Sequence, residues 1–574
     1  MKWRQYLPIL DWLPTYTHAQ FRGDLGAGLT VGIILIPQGM AYAMLAGLPP
    51  IHGLYAATLP LILYSIFGTS RQLSVAPEAI GSILTASAIG SMAAQGSNHY
   101  LQMSFALALM VGVLRLLLGL LRLGFIVNFL SHPVIRGFTS AAAIVIAVTQ
   151  LKSLFGVKIP NSERIHEIVW ALFQQINHLH GLTLGIGLVA IIILWSIKKI
   201  SPRFPGSLLV LALGILVVWI FKLDQQGVII LGSVPEGLPA FLIPKVAWQQ
   251  EFRQLWPFTV TIALVGFMES IALAKSVRAH HLEYKVEANQ ELIALGLANI
   301  GAGLFQGFPV NGGISRTAIN DQAGAQTGMA SIISAATVVL TLLFLTPLFH
   351  YLPNAILAAI ILFSAINMVK IQEPRELWKS NKTDFWMLMA TFVVTLTLGI
   401  QDGIATGVMV SLAMMIFKST RPHYALLGQI PDTHIFRNVL RFKDLVQRPE
   451  VLIFRYDADL YFANISHFME ILEAQVQAKS PSIRFVIVDA ESINNLDSTA
   501  IEGLLELVES FKQLGIKLVF SSLKGPIRDA IKKAQLVEKI GESHFYINII
   551  EAIAAFENLS SPLHHDYAIQ SNVD

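Results

Sequence analysis

From Gly26 to Lys418 the chain is a succession of long apolar runs separated by short polar breaks. A membrane-spanning helix takes about 20 mostly apolar residues, with a range of roughly 17–25. Backbone N–H and C=O groups in hydrocarbon must be satisfied within the segment, so runs of this length read as helices. Charge follows the same division. Only 13% of residues are charged and 54% are hydrophobic, with a mean hydropathy of +0.59. Soluble domains carry roughly 25% charged residues. After His423 charges return at a soluble density. Two regions in two solvents are expected: an all-α polytopic membrane region and a separate soluble α/β domain.

Fourteen candidate spans can be marked. Seven lie near 25–47, 52–68, 74–93, 101–121, 131–151, 181–199 and 206–221. After a polar break at 222–256, seven more lie near 257–275, 288–304, 313–327, 328–349, 354–370, 384–400 and 402–418. An even count puts both termini on one side, and Lys and Arg decide which. Arg22, Arg71, Arg115, Lys198, Lys275, Lys370 and Lys418 are among the cations assigned to loops of the N-terminal side. The opposite short loops, near 47–52, 93–100, 304–312 and 350–353, hold no Lys or Arg. Both termini are therefore expected in the cytoplasm, with the protein in the plasma (cell inner) membrane. Residues 1–24, mixed and polar with two prolines, read as a cytoplasmic segment rather than a cleavable signal.

Two sets of seven put equivalent helices in opposite orientations. That is an inverted repeat, in which substrate sits near mid-membrane where broken helices meet. The matched pair of short, Gly/Pro-broken spans is the third of each half. One begins Ser74-Val-Ala-Pro-Glu-Ala-Ile-Gly81; the other follows Gly307-Phe-Pro-Val-Asn-Gly-Gly-Ile-Ser-Arg316. Two half-helix N-termini there would form a positive pole suited to an anion. Val75 and Ala76 would contribute backbone amides. Arg316, beside Ser315, could attract an anion and bind two of its oxygens. Glu269 stands in the middle of an apolar span, where a carboxylate is costly unless paired, hydrated or protonated. It suits a proton carrier, and an ion pair with Arg316 is the structural alternative. Gln38 and Tyr42 are four apart and share a helix face. Both can donate to an oxyanion; a core tyrosine with a satisfied hydroxyl is the alternative. Glu78 is stabilised at a helix N-terminus but would repel an anion there, so it either faces away or is a second site of protonation. Thr85 is expected to bond its own helix carbonyl, Lys275 to anchor a span end, and Asp402 to cap the last span.

Several functions are excluded. There is no cysteine, hence no disulfide or thiolate site. The histidine pairs His178/His180, His280/His281 and His564/His565 have no acidic cluster at metal spacing, so neither metal nor cofactor is expected. A scattered net charge of +3 is no nucleic-acid footprint. No Gly-x-x-x-x-Gly-Lys-Ser/Thr is present, so ATP is not the expected driver. No nucleophile–base pair suggests an enzyme.

Pro37-Gln38-Gly39-Met40-Ala41-Tyr42, Gly47-Leu48-Pro49-Pro50 and Gly53-Leu54-Tyr55 resemble the first spans of the SulP/SLC26 anion transporters. Gly266-Phe-Met-Glu-Ser-Ile-Ala-Leu-Ala-Lys275 resembles that family's eighth span, and Asn311-Gly-Gly-Ile-Ser-Arg-Thr317 its tenth. The tail from about 436 to 558, with Leu460-Tyr-Phe-Ala-Asn464 and Asp497-Ser498-Thr499, resembles its STAS domain. The resemblance implies a 7+7 inverted repeat divided into core and gate domains, transport of sulfate, bicarbonate, chloride or dicarboxylates, with sulfate the expected cargo, and frequently a homodimer. It links a glutamate at the position of Glu269 to proton coupling, and places the first span at the site. A serine after such an aspartate is phosphorylated in related regulatory domains, which makes Ser498 a candidate phosphosite; capping of the following helix is the alternative.

The expected organisation is a segment 1–24, repeat one at 25–221, an extracytoplasmic linker at 222–256, repeat two at 257–418, a linker at 419–435, the STAS domain at 436–558 and a flexible tail at 559–574. Strands are expected at 451–456, 485–489 and 517–521, alternating with helices near 466–478, 499–514 and 526–535. The functional expectation is a secondary active transporter importing sulfate with protons. Sodium-coupled bicarbonate transport is the alternative and, from another class, a membrane-anchored STAS signalling scaffold.

Overall fold

The computed structural model describes residues 6–559 except 91, 126–130, 158, 160–164, 202–203, 282, 367 and 480–481. The chain divides into two units, Met1–Leu412 and Ala413–Asp574.

The first unit is helical. It runs through α1 (Ile9–Trp12), α2 (His18–Leu45), α3 (Ile51–Tyr55), α4 (Leu59–Phe67), β1 (Val75–Ala76), α5 (Ala79–Gly90), α6 (Asn98–Leu120), α7 (His132–Phe155), α8 (Ile165–Gln174), α9 (Gly181–Ile200) and α10 (Gly206–Phe221). It continues with α11 (Trp248–Arg278), α12 (Ala288–Leu304), β2 (Asn311–Gly312), α13 (Ile314–Gln322), α14 (Met329–Phe344), α15 (Asn354–Ile366), α16 (Gln372–Ser380), α17 (Lys382–Thr397) and the start of α18 (Ile400–Thr420). Among the described residues six helices are long and apolar enough to cross a membrane: His18–Leu45, Asn98–Leu120, His132–Phe155, Gly181–Ile200, Trp248–Arg278 and Asp402–Thr420. Shorter apolar helices, including Ala79–Gly90, Gly206–Phe221 and Asn354–Ile366, lie between them. Trp195, Trp219, Phe344 and Ile192 are exposed on these helices, as lipid-facing side chains are.

Lipid gives helices no hydrophobic reason to associate, so small residues that allow close approach matter. The α6–α12 seam shows this. A Cβ on Gly112 would lie 2.6 Å from Ile300 N, and one on Gly296 2.7 Å from Leu116 N.

The observed elements differ from several sequence expectations. The run at 52–68 is two helices, α3 and α4, not one. α2 starts at His18, inside the expected segment 1–24, because Thr17 and Gln20 form a capping box. Asp24 is consequently buried; it accepts from Gln326 N–H at 2.7 Å and Thr327 N–H at 3.0 Å. The linker at 222–256 ends in helix, since α11 begins at Trp248 with a polar first turn that hydropathy does not register. Asp402 is the third residue of α18 rather than its cap; it is a first-turn acid with the favourable dipole sign.

The second unit is built on a six-stranded sheet ordered β4-β3-β5-β6-β7-β8. Its strands are β3 (Tyr424–Gln429), β4 (Phe436–Asn438), β5 (Val451–Tyr456), β6 (Phe485–Asp489), β7 (Lys517–Ser521) and β8 (Phe545–Tyr546). β4, β3 and β5 pair antiparallel; β5 to β8 pair parallel. The helices are α19 (Ile465–Lys479), α20 (Ser498–Gln513), α21 (Gly525–Lys533), α22 (Leu536–Ile540) and α23 (Ile549–Leu559). Strand alternation feeds two cores. Leu452, Phe454 and Tyr456 face Phe468, Leu472, Leu504 and Leu507, while Val451 and Ile453 face Ile549 and Ile553 on the other side. β3 occupies the segment expected as a linker at 419–435; its pairing partner β5 lies too far along the chain for local pattern to reveal. The expected tail at 559–574 lies outside the described residues, apart from Leu559 at the end of α23.

Candidate functional site

The two Gly/Pro-broken stretches meet. β1 pairs antiparallel with β2, Val75 opposite Gly312 and Ala76 opposite Asn311, and α5 and α13 each begin a few residues beyond. Pro77 has no N–H and Gly312-Gly313 has no side chains, so neither stretch continues as helix. The freed backbone groups find other partners, as membrane-depth backbone requires. Gly313 N–H donates to Ser74 O at 3.1 Å, and Ser74 N–H to Thr317 Oγ1 at 3.2 Å. Asn299 on α12 accepts from Val310 N–H at 3.0 Å and donates to Val310 O at 2.9 Å. Ser270 on α11 accepts from Gly312 N–H at 2.9 Å.

Around α13 the polar groups are incompletely satisfied. Arg316 is buried, 1% exposed; its Nη2 donates to Ala76 O at 3.2 Å while its Nε has no partner. Glu269 lies on α11, partly buried, and its Oε2 has no partner. Among the described residues no ion pair joins Glu269 to Arg316, so the structural alternative for these two is not realised here. Glu269 precedes Ser270, which accepts from Gly312 N–H, and Arg316 donates to Ala76 O, so both stand at the crossing beside which Glu78 caps α5. On α2, Tyr42 is buried with its hydroxyl 3.3 Å from Ser364 Oγ, and Gln38, one turn away, has an unpartnered Oε1. Ser315 is exposed, and Val75 and Ala76 are fully buried. Buried polar atoms are usually hydrogen-bonded, and an orphan costs about 1–3 kcal/mol. Gln38, Glu269 and Arg316 each keep one such orphan.

The α5 end corrects the expectation of a doubled positive pole. Glu78 neither faces away nor is left loose. Its carboxylate accepts from Ile80 N–H at 2.7 Å, Gly81 N–H at 2.5 Å and Asn311 Nδ2 at 3.0 Å. Ile80 and Gly81 N–H at the α5 N-terminus are therefore taken by the chain's own acid, and Ser74 N–H is taken by Thr317. At α13 the N-cap, Gly313, has no side-chain bond.

Arg115 is a second correction. The sequence reading places it in a loop of the N-terminal side, yet it is fully buried in α6. It donates to Ala263 O at 3.1 Å, Ile262 O at 2.8 Å, Val310 O at 3.3 Å and Asn311 Oδ1 at 2.6 Å. A lone arginine in Val113-Leu-Arg-Leu-Leu-Leu118 was itself the signal, because a charge inside an apolar run faces a partner or a cavity.

The remaining candidates are peripheral. Thr85 donates to Gly81 O at 2.7 Å, and Lys275 is exposed in the last turn of α11. Among the described residues no group of three His, Cys, Asp or Glu side chains is arranged to hold a metal. In the second unit Asp497 caps α20, accepting from Ala500 N–H at 2.8 Å, and Ser498 beside it is exposed.

The comparisons with known proteins agree on family. The sequence model of the sulfate permease family matches residues 21–391, and that of the STAS domain residues 442–552. The chloroplastic sulfate transporter 4.1 of Arabidopsis thaliana is 35% identical over 564 residues, covering 95% of this chain and 82% of that protein. A probable sulfate transporter of Mycobacterium tuberculosis is 32% identical over 541 residues, covering 94% of this chain and 96% of that protein. The inward-facing structure of the murine anion transporter Slc26a9 superposes with a TM-score of 0.88 at 27% identity, covering 96% of this chain and 94% of that one. The transmembrane domain of a cyanobacterial bicarbonate transporter, BicA, shares the fold of the first unit, with a TM-score of 0.60 at 22% identity over 69% of this chain and 98% of that one. The chain belongs to the sulfate permease (SulP/SLC26) family of membrane anion transporters, not enzymes, and carries that family's STAS domain.

Proposed function

We propose that this protein imports sulfate together with protons by alternating access. The observation that carries the reading is the pairing of an under-bonded buried guanidinium, Arg316, with an acid, Glu269, that stands at the same crossing without an ion pair. Sulfate would take Arg316 Nε and Nη2 as a fork, with Gln38, Tyr42 and Ser315 around it. The buried backbone of Val75 and Ala76 shapes the wall behind it. A proton on Glu269 would remove a charge that repels the anion, linking the two binding events thermodynamically. Sulfate as cargo is supported by the names of the relatives.

The architecture goes with this reading: fourteen spans as a 7+7 inverted repeat, a core domain carrying the site and moving against a gate domain, and both termini in the cytoplasm of a cell whose plasma membrane holds a homodimer. The second unit regulates or assembles the dimer, with Ser498 as an exposed phosphosite whose added charge the α20 N-terminus would tolerate.

Labelled sulfate uptake by proteoliposomes tests the reading, with inward proton and sodium gradients imposed separately and unlabelled bicarbonate as competitor. Proton-driven uptake supports it. Sodium-driven flux blocked by bicarbonate would overturn both cargo and coupling ion.

A further inference from the structure

The two acids beside the crossover are bound in opposite ways. Glu269 Oε2 has no partner, whereas Glu78 accepts three N–H donors, from Ile80, Gly81 and Asn311. Both Glu78 oxygens are occupied as acceptors. Asn311 has a fixed sense: its oxygen accepts from Arg115 Nη2 at 2.6 Å and its nitrogen donates to Glu78 Oε1 at 3.0 Å. Turning the amide over would set NH2 against a guanidinium and C=O against a carboxylate. Among the described residues Arg115 has no carboxylate within ion-pair distance, so Glu78, through the amide, is what balances its buried charge. The packing leaves no slack: a Cβ on Gly266 would collide with Asn311 and Arg115, and one on Gly81 would lie 2.8 Å from Glu78 Oε1.

We propose that Glu78 is a permanent counter-charge of the anion site, held by Arg115 through Asn311, and that it makes anion entry depend on neutralising Glu269. The proposal rests on the site and coupling put forward above. The charged or titratable groups facing Glu269 are Glu78 ahead of α5 and Arg316 on α13; Tyr42 on α2 and Arg115 on α6 act on the same cluster. Two guanidinium groups and two carboxylates sum to zero. A proton on Glu269 leaves one positive charge for the anion. Without Glu78 that positive charge is present whether or not the proton has arrived. The helix cap and the proton requirement thus share one residue.

The test is equilibrium binding of labelled sulfate to the purified full chain in lipid nanodiscs, in acid and in mildly alkaline buffer. Glu78→Asp keeps the charge; Glu78→Gln removes it and keeps an acceptor for the α5 amides. Wild type and Glu78→Asp are expected to bind more tightly in acid. Glu78→Gln is expected to bind about tenfold more tightly than wild type in alkaline buffer, with a flattened pH dependence. Wild-type affinity and pH dependence in Glu78→Gln would overturn the proposal and leave Glu78 a helix cap. If wild-type binding ignores pH, the coupling through Glu269 fails separately, and the affinity of Glu78→Gln still decides the counter-charge. Should Glu78→Gln not fold, acid-minus-alkaline infrared difference spectra of wild type decide. One carboxyl band, lost in Glu269→Gln, is expected from the cluster; a second band that shifts in Glu78→Asp would overturn the proposal.

Discussion

α5 and α13 start from the same antiparallel crossing, and they are furnished in opposite ways. At α5 a carboxylate, Glu78, fills the N-terminus and is itself held by Asn311. At α13 the cap is Gly313, with no side-chain bond, and the nearby charge is the guanidinium of Arg316 with a free Nε. The two helices share a backbone device, but their side chains furnish it differently. Under the proposed function, the capped end holds the crossing together and the other end takes the anion.

That contrast orders the expected effects of substitution. Arg316→Ala should cut initial sulfate uptake on the order of 100-fold, because a bound anion loses its charged fork. Arg316→Lys, which keeps charge but not the fork, should recover only part of it. Uptake within about threefold of wild type in Arg316→Ala would mean that the α13 end does not take the anion. Arg115→Met should do the reverse, leaving the Ile262, Ala263 and Val310 carbonyls and Asn311 without their donor. A loss of about 3–5 kcal/mol is expected in thermal unfolding of the purified protein, against a much smaller one for Arg316→Ala. Equal losses would erase the distinction between the two ends.

The second unit provides controls away from the crossing. Asp497→Ala removes the α20 cap and should cost about 1 kcal/mol, read as faster hydrogen exchange in α20 of the full chain with uptake chemistry unchanged. The smallest effect concerns Asp457. Burial pushes its carboxyl up, but hydrogen bonds from Arg455 at 2.7 Å and His423 at 2.8 Å outweigh this and hold it below the usual value. A depressed folded value means that the stabilisation is present above the unfolded pKa of 3.8 and is lost as pH falls below it. The groups are partly exposed, so about 1 kcal/mol or less is expected. Asp457→Asn should make exchange around β5 insensitive to acid in that range; unchanged acid sensitivity would place the titrating group elsewhere.

Much of this arrangement could be read in advance. The apolar runs fall on apolar helices, though the run at 52–68 is two of them, and the short runs at 451–456, 485–489 and 517–521 are β5, β6 and β7. Pro77 and Gly312-Gly313 located the crossing because both remove helix-making groups. The proximity of Glu269 and Arg316, 47 positions apart in sequence, came through family resemblance and not through periodicity. What stayed hidden was long-range satisfaction. Glu78, Arg115 and Asn311 sit on three separate segments, and only their meeting shows what holds a carboxylate at the crossing. β3 was hidden for the same reason, since its strand character is supplied by pairing with β5 across an intervening loop.

The most direct test of the central claim is proton entry driven by sulfate. Proteoliposomes loaded with a pH-sensitive dye would receive external sulfate with no imposed proton gradient, for wild type and Glu269→Gln. The account predicts that sulfate acidifies the lumen in wild type, and that Glu269→Gln takes up sulfate without acidification. Sulfate uptake by wild type with no proton entry, or undiminished proton entry in Glu269→Gln, would contradict it.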